Sequence, residues 1–179
     1  MQSMILADVM QTAGIRAFVG KLSMDISTRP SYVEASAKDA LSSAESFVNR
    51  CRALVAHLPE YRRLVEPVIT PRFVPTCSDG LLTGLGEISR AKSLRIQSHL
   101  AEAQDQVEWV KRERGVADID VFDRVSSDHT GSIGTALKLI FIAQALDLTD
   151  YTSTLYFPRH FLSFSSTSAG HSGSSLSPV

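Results

Sequence analysis

The chain has 179 residues, 18 Lys and Arg against 19 Asp and Glu, and 44% apolar side chains, an ordinary globular composition far from disordered, collagen-like or coiled-coil statistics. A net charge of -1 supplies no cationic footprint for a phosphate backbone, so no nucleic-acid partner is expected. Two cysteines, Cys51 and Cys77, cannot build a disulfide framework, which fits a reducing, cytoplasmic setting. Met1 to Met10 lacks a basic n-region, and the apolar run Ala136 to Leu146 contains Lys138 and is shorter than the ~20 residues of a spanning helix. No secretory leader and no membrane segment are expected.

In chain order, a helix is expected over Met4 to Thr12, ending at Gly14, where a left-handed C-cap suits glycine. Ile15 to Met24 (IRAFVGKLSM) has the β-branched and aromatic content of a buried strand, closed by the Ser-Thr-Arg-Pro loop. From about Glu34 to His57, Ala37, Ala40, Leu41, Ala44, Phe47, Val48, Cys51, Leu54 and Val55 recur at helical spacing as one apolar stripe. The unit then repeats. Leu64 to Thr70 is a short strand, Ser78 caps a helix running to about Lys92, and Leu94 to His99 is a third strand. A helix over Asp105 to Arg114 follows, with Gly115 at its C-cap. Alternation of short strands with helices implies parallel pairing through right-handed crossovers, an α/β class. No GxGxxG follows the first strand and no GxxxxGK[ST] occurs, so neither phosphate-binding motif is supported.

Past Asp128 charge thins out. The apolar stretch TALKLIFIAQAL, within residues 124–160, reads equally as a buried helix or a strand. Residues 161–179 hold eight serines and no Lys, Arg, Asp or Glu, and such a segment is expected to be disordered.

Functional groups of parallel α/β sheets gather at the carboxyl ends of the strands. Two exits carry chemistry. Arg72 and Phe73 leave the second strand as a guanidinium fork beside an aromatic face, suited to a planar heterocycle with carbonyl and ring-nitrogen acceptors. The same pair also serves elsewhere as a surface cation–π contact. His99 leaves the third strand with Glu102 three residues on. An imidazole there can ligate zinc, and the carboxylate can move protons to and from an activated water. A histidine at a strand end is equally a hydrogen-bonded structural residue, and zinc needs three or four ligands. His57, His129, His160 and His171 do not complete a set by spacing. Cys51 and Cys77 read as buried thiols and Trp109 as a packing residue.

Together, AFVGKLSMD, EPVITPRFVPTCSD, LxGLGEI, RAKSLRIQSHLAE and VEWVK resemble the guanine deaminases, zinc hydrolases of the amidohydrolase superfamily built on a (β/α)8 barrel. The match runs from about Leu6 to Phe122. The resemblance implies that Arg72 and Phe73 bind and stack on the purine, that His99 is a zinc ligand and that Glu102 is the acid/base beside the zinc-bound water. It implies conversion of guanine to xanthine and ammonia, zinc as cofactor, a place in purine catabolism, and room for a homo-oligomer in a complete enzyme. The family's barrel also carries a His-x-His zinc pair on an upstream strand and a later His and Asp. No HxH occurs in this sequence, and nothing after about Asp123 resembles the later segments.

The chain therefore reads as about three βα units of a barrel that typically takes about 250 residues. Residues 1–123 form this partial barrel. With most metal ligands missing, the chain is expected to be inactive alone, poorly soluble and marginally stable, because its edge strands are unpaired. Two other readings remain: a fragment of another aminopurine or triazine hydrolase, or a non-catalytic chain that associates with full-length subunits through its open sheet edge.

Overall fold

The computed structural model describes residues 2–126 and 139–143. Four parallel strands form one sheet in the order β1 (Ala17–Ser23), β2 (Val65–Pro71), β3 (Ile96–Leu100) and β4 (Leu139–Ala143). The helices are α1 (Gln2–Thr12), α2 (Ala37–Val55), α3 (Asp79–Lys92), α4 (Gln104–Arg114) and α5 (Asp118–Ser126). Sequential parallel order with a helix between neighbours is the topology of a (β/α) barrel segment.

Local chemistry explains the boundaries. Ser36 caps α2 by accepting from the Asp39 amide, and Ser78 caps α3 by accepting from the Leu81 amide. Gly14 (φ 74°) and Gly115 (φ 69°) take the left-handed conformation expected of them after α1 and α4. Ser93 takes the same conformation at the end of α3, with φ 52°.

The apolar stripe of α2 divides between two clusters. Ala40, Ala44 and Val48 join Leu81, Leu82 and Leu85 of α3, Ile69 and Ile96 of the sheet, Val110 of α4 and Phe122 of α5 in the larger core. Phe47 and Cys51 join Ala7 of α1 with Val19 and Val65 in the smaller. Trp109 packs at the margin of the larger core, half-buried.

Two elements differ from the sequence reading. The stretch that fitted helix or strand contributes β4, which pairs with β3 over Ile96↔Leu139 to Leu100↔Ala143, so β3 is an interior strand and not an edge. Of the two forms the sequence left open, residues 139–143 take the strand: an apolar run this short has no decisive period of its own, and here it pairs with β3. The second is α5, whose amide at Ala117 donates to the Asp120 carboxylate and whose Phe122 is buried. Residues 161–179, expected to be disordered, and the histidines at 129, 160 and 171 lie outside the described residues.

Candidate functional site

β3 alternates. Ile96, Ser98 and Leu100 are buried, whereas Gln97 and His99 are half-buried and lie on the other face of the strand. Gln97 donates through Nε2 to Thr70 Oγ1 at 3.0 Å, which places β2 and β3 side chains in one row below His99. Thr70 in turn lies against Gly20 of β1, where a methyl group would collide with its hydroxyl.

The exit of β2 organises the site through its backbone. The Arg72 amide donates to Ser23 O at 3.0 Å, fixing the exit to the end of β1. The Arg72 carbonyl receives three donors from β3: the His99 amide at 3.2 Å, Ser98 Oγ at 3.2 Å and His99 Nδ1 at 2.9 Å. A carbonyl only accepts, so Nδ1 carries the proton in this bond and the Nε2 lone pair is left for a further partner. Metal-ligating imidazoles are oriented in this way.

The Arg72 guanidinium lies over its neighbour Phe73, 5.2 Å from the ring centroid, and Nη1 contacts Met24 Sδ at 3.7 Å. Both side chains are half-buried, leaving part of the fork and of the ring accessible. The β1 exit is held beside them. Asp25 accepts from the Ser78 amide at 2.8 Å and from Ser78 Oγ at 2.5 Å, tying the β1 loop to the start of α3. Three of the sequence-selected residues, Arg72, Phe73 and His99, are thus assembled at adjacent strand ends.

Glu102 is half-buried on the turn after β3. Its amide donates to Gln106 Oε1 at 3.2 Å, and the preceding residue, Ala101, has a positive φ of 48°. Such a backbone is costly for a residue with a Cβ, about 1–3 kcal/mol. Asp118 holds it there: its Oδ2 accepts from the Ala101 amide at 3.2 Å and from Gln106 Nε2 at 2.8 Å. Asp118 is 1% exposed and its Oδ1 has no hydrogen-bond partner among the described residues. Burial pushes its carboxyl above the ordinary range, opposed by the two hydrogen bonds it accepts. Sequence reasoning missed Ala101, Gln106 and Asp118, because no residue type or motif marks them and their role lies in contacts with one another across the turn.

Both thiols are buried, and burial pushes each up to about 11; Arg52 partly opposes this at Cys51, and hydrogen bonds from the Arg72 and Phe73 backbone and the Thr76 side chain at Cys77. Neither is poised as a nucleophile. No helix among the described residues is long and apolar enough to cross a membrane. Nor do they bring together three or more His, Cys, Asp or Glu side chains that could hold a metal. Zinc requires at least three protein ligands, so the described residues fit one corner of such a site, through His99 Nε2, and not the whole of it.

Parallel strands in sequential order with helices between them define a segment of a (β/α) barrel, and solved amidohydrolase barrels share this fold. The guanine deaminase from C. acetobutylicum with bound guanine in the active site superimposes with a TM-score of 0.59 at 32% identity, covering 69% of this chain and 28% of that one. An atrazine chlorohydrolase from Arthrobacter aurescens complexed with zinc shares the fold alone, with a TM-score of 0.55 and 16% identity, covering 66% of this chain and 26% of that one. The sequence comparison narrows the class: over the matched segment this chain is a homologue of guanine deaminases. The Dictyostelium discoideum guanine deaminase is 41% identical over 109 residues, and the human one is 40% identical over 110. Each match covers 61% of this chain but 23% of the relative, so the chain spans about a quarter of the length of the curated relatives it matches. No family model matches the chain.

Proposed function

We propose that the segment from about Leu6 to Phe122 is the purine-binding and proton-transferring part of a hydrolase that converts guanine and water to xanthine and ammonia, a step of purine catabolism in the cytoplasm. The observation that carries this reading is the Arg72–His99 junction, where one backbone carbonyl orients a histidine beside a guanidinium stacked on an aromatic ring. In that reading Arg72 donates to the carbonyl and ring-nitrogen acceptors of guanine, and Phe73 stacks on the heterocycle. Glu102 accepts a proton from the attacking water and passes it to the departing amine, which leaves as ammonia.

Zinc is the cofactor of this reading, with His99 Nε2 as one ligand. The remaining ligands have no counterpart among the described residues, so no step is assigned to the metal in this chain, and the chain by itself is read as inactive.

The test has two arms. The 179-residue chain supplied with zinc is expected to form no xanthine from guanine. The same matched segment, exchanged for its counterpart in the Dictyostelium relative, is expected to give guanine turnover that His99→Ala and Glu102→Ala each abolish. Turnover of adenine without guanine would overturn the substrate, and full activity in Glu102→Gln would overturn the proton-transfer role. Phe73→Ala should raise KM for guanine, by roughly 1–3 kcal/mol of lost stacking.

A further inference from the structure

We infer that Asp118 and Gln106 form a clamp that fixes the turn between His99 and Glu102, making them positioning residues for the Glu102 carboxylate. The inference rests on the proposed role of Glu102.

The geometry is specific. Two consecutive amides, Ala101 and Glu102, follow β3 and are received by side chains. Asp118 Oδ2 takes the first at 3.2 Å and Gln106 Oε1 the second at 3.2 Å. Gln106 Nε2 donates to the same Asp118 Oδ2 at 2.8 Å, so the two acceptors are locked to each other. Gln106 is the third residue of α4, yet it reaches back past the capping residue Ala103 to the amide before it. That is one residue further than a capping box, whose aim is the helix end alone. The clamp therefore serves the turn, where Ala101 sits at φ 48°.

The shared acceptor makes the arrangement testable. One oxygen, Asp118 Oδ2, takes both the Ala101 amide and Gln106 Nε2. Asp118→Asn can keep both bonds, with its amide oxygen in that place and Nδ2 in the place of the unpartnered Oδ1, whereas Asp118→Ala removes both. Gln106→Ala removes the acceptor of the Glu102 amide and leaves Asp118 on Ala101.

The experiment is amide hydrogen exchange by NMR on the 179-residue chain, with steady-state kinetics in the segment exchange described above. Asp118→Ala is expected to speed exchange at Ala101 by about tenfold or more, the effect of losing a hydrogen bond to a charged group. Phe47 and Val48 of α2 should keep their protection. Asp118→Asn should hold the Ala101 rate near the original. Gln106→Ala, which leaves Asp118 in place, should expose Glu102 N–H while Ala101 stays protected. In the kinetic arm kcat of Asp118→Ala should fall about tenfold with KM for guanine unchanged, and recover in Asp118→Asn. Unchanged exchange at Ala101 in Asp118→Ala and at Glu102 in Gln106→Ala, or an Ala101 amide as exposed in Asp118→Asn as in Asp118→Ala, would overturn the clamp. Freed amides with unchanged kcat would overturn the positioning role. An unsubstituted segment exchange that turns over no guanine would overturn the guanine reading instead, and the amide rates would still decide whether the pair fixes the turn.

Discussion

Gly20 of β1 faces Thr70 and the Val68 carbonyl of β2, and replacing it with alanine tests the packing of the sheet beneath the site. A methyl group there would overlap Thr70 Oγ1, lie 3.0 Å from Thr70 Cβ and 3.0 Å from the Val68 carbonyl oxygen. The carbonyl belongs to the β1–β2 ladder and cannot move without loss of pairing, so Thr70 must rotate. Rotation breaks the 3.0 Å bond from Gln97 Nε2. Overpacking costs typically 1–3 kcal/mol, and the lost neutral bond about 1 kcal/mol more. Alanine is the better strand residue by about 0.5–1 kcal/mol, which offsets part of this. The net expectation is a destabilisation of about 2 kcal/mol, read as a lower urea midpoint with unchanged slope in far-UV circular dichroism. Thr70→Ala removes the overlapping hydroxyl, so the double variant should be less destabilised than the sum of the singles by about 1 kcal/mol. Strict additivity, or a Gly20→Ala chain more stable than the parent, would refute the steric argument.

The remaining expectations concern the termini of elements and the thiols. Ser93→Gly should raise the thermal midpoint, because a serine at φ 52° is strained and glycine is not; a lower midpoint would show that the residue contributes a bond worth more than the strain. Asp25→Ala should cost about 1–2 kcal/mol in the same urea assay, since it strips the carboxylate from both the amide and hydroxyl of the α3 cap residue. Cys51 and Cys77 should react with a soluble alkylating reagent only as the chain unfolds, their labelling rising with denaturant along the unfolding curve; rapid native labelling would contradict their burial. Above pH 9 the unfolded chain ionises its thiols while the folded chain keeps both protonated to about 11, so the folded state holds more protons. Stability should therefore fall as pH rises from about 9 to about 11 and level off beyond, and a flat profile across that window would refute the assignment.

Much of the fold was legible because its signals are local. The α2 stripe, the serine caps and the glycines at 14 and 115 each act within a turn or two of chain, and the alternation of units dictates parallel order. The strands were read a residue or two early at their starts, one residue late at the end of β1 and one residue short at the ends of β2 and β3, since pairing and not composition terminates them. β4 and α5 were not assigned: one is a short apolar run without decisive period, the other a nine-residue helix behind a surface-like acidic start. Within the candidate site, Arg72, Phe73, His99 and Glu102 announced themselves by residue type at strand exits. Asp118 could not, because its meaning lies in contacts with Ala101, 17 positions away, and Gln106, 12 positions away.

The Arg72 carbonyl has one more consequence. Three donors meet on an atom that has two lone pairs and belongs to the main chain. No codon change deletes it. A mutational scan of this segment would record the guanidinium of residue 72 and remain blind to the oxygen behind it, although that oxygen sets the tautomer and aim of the imidazole. Its contribution can be weighed by chemical synthesis, replacing the amide between residues 72 and 73 with a thioamide whose sulfur is larger and a weaker acceptor. It also means that selection can vary the side chain at 72 for a different heterocycle while the histidine keeps its bearing, so recognition and orientation, though they share a residue, are free to evolve apart.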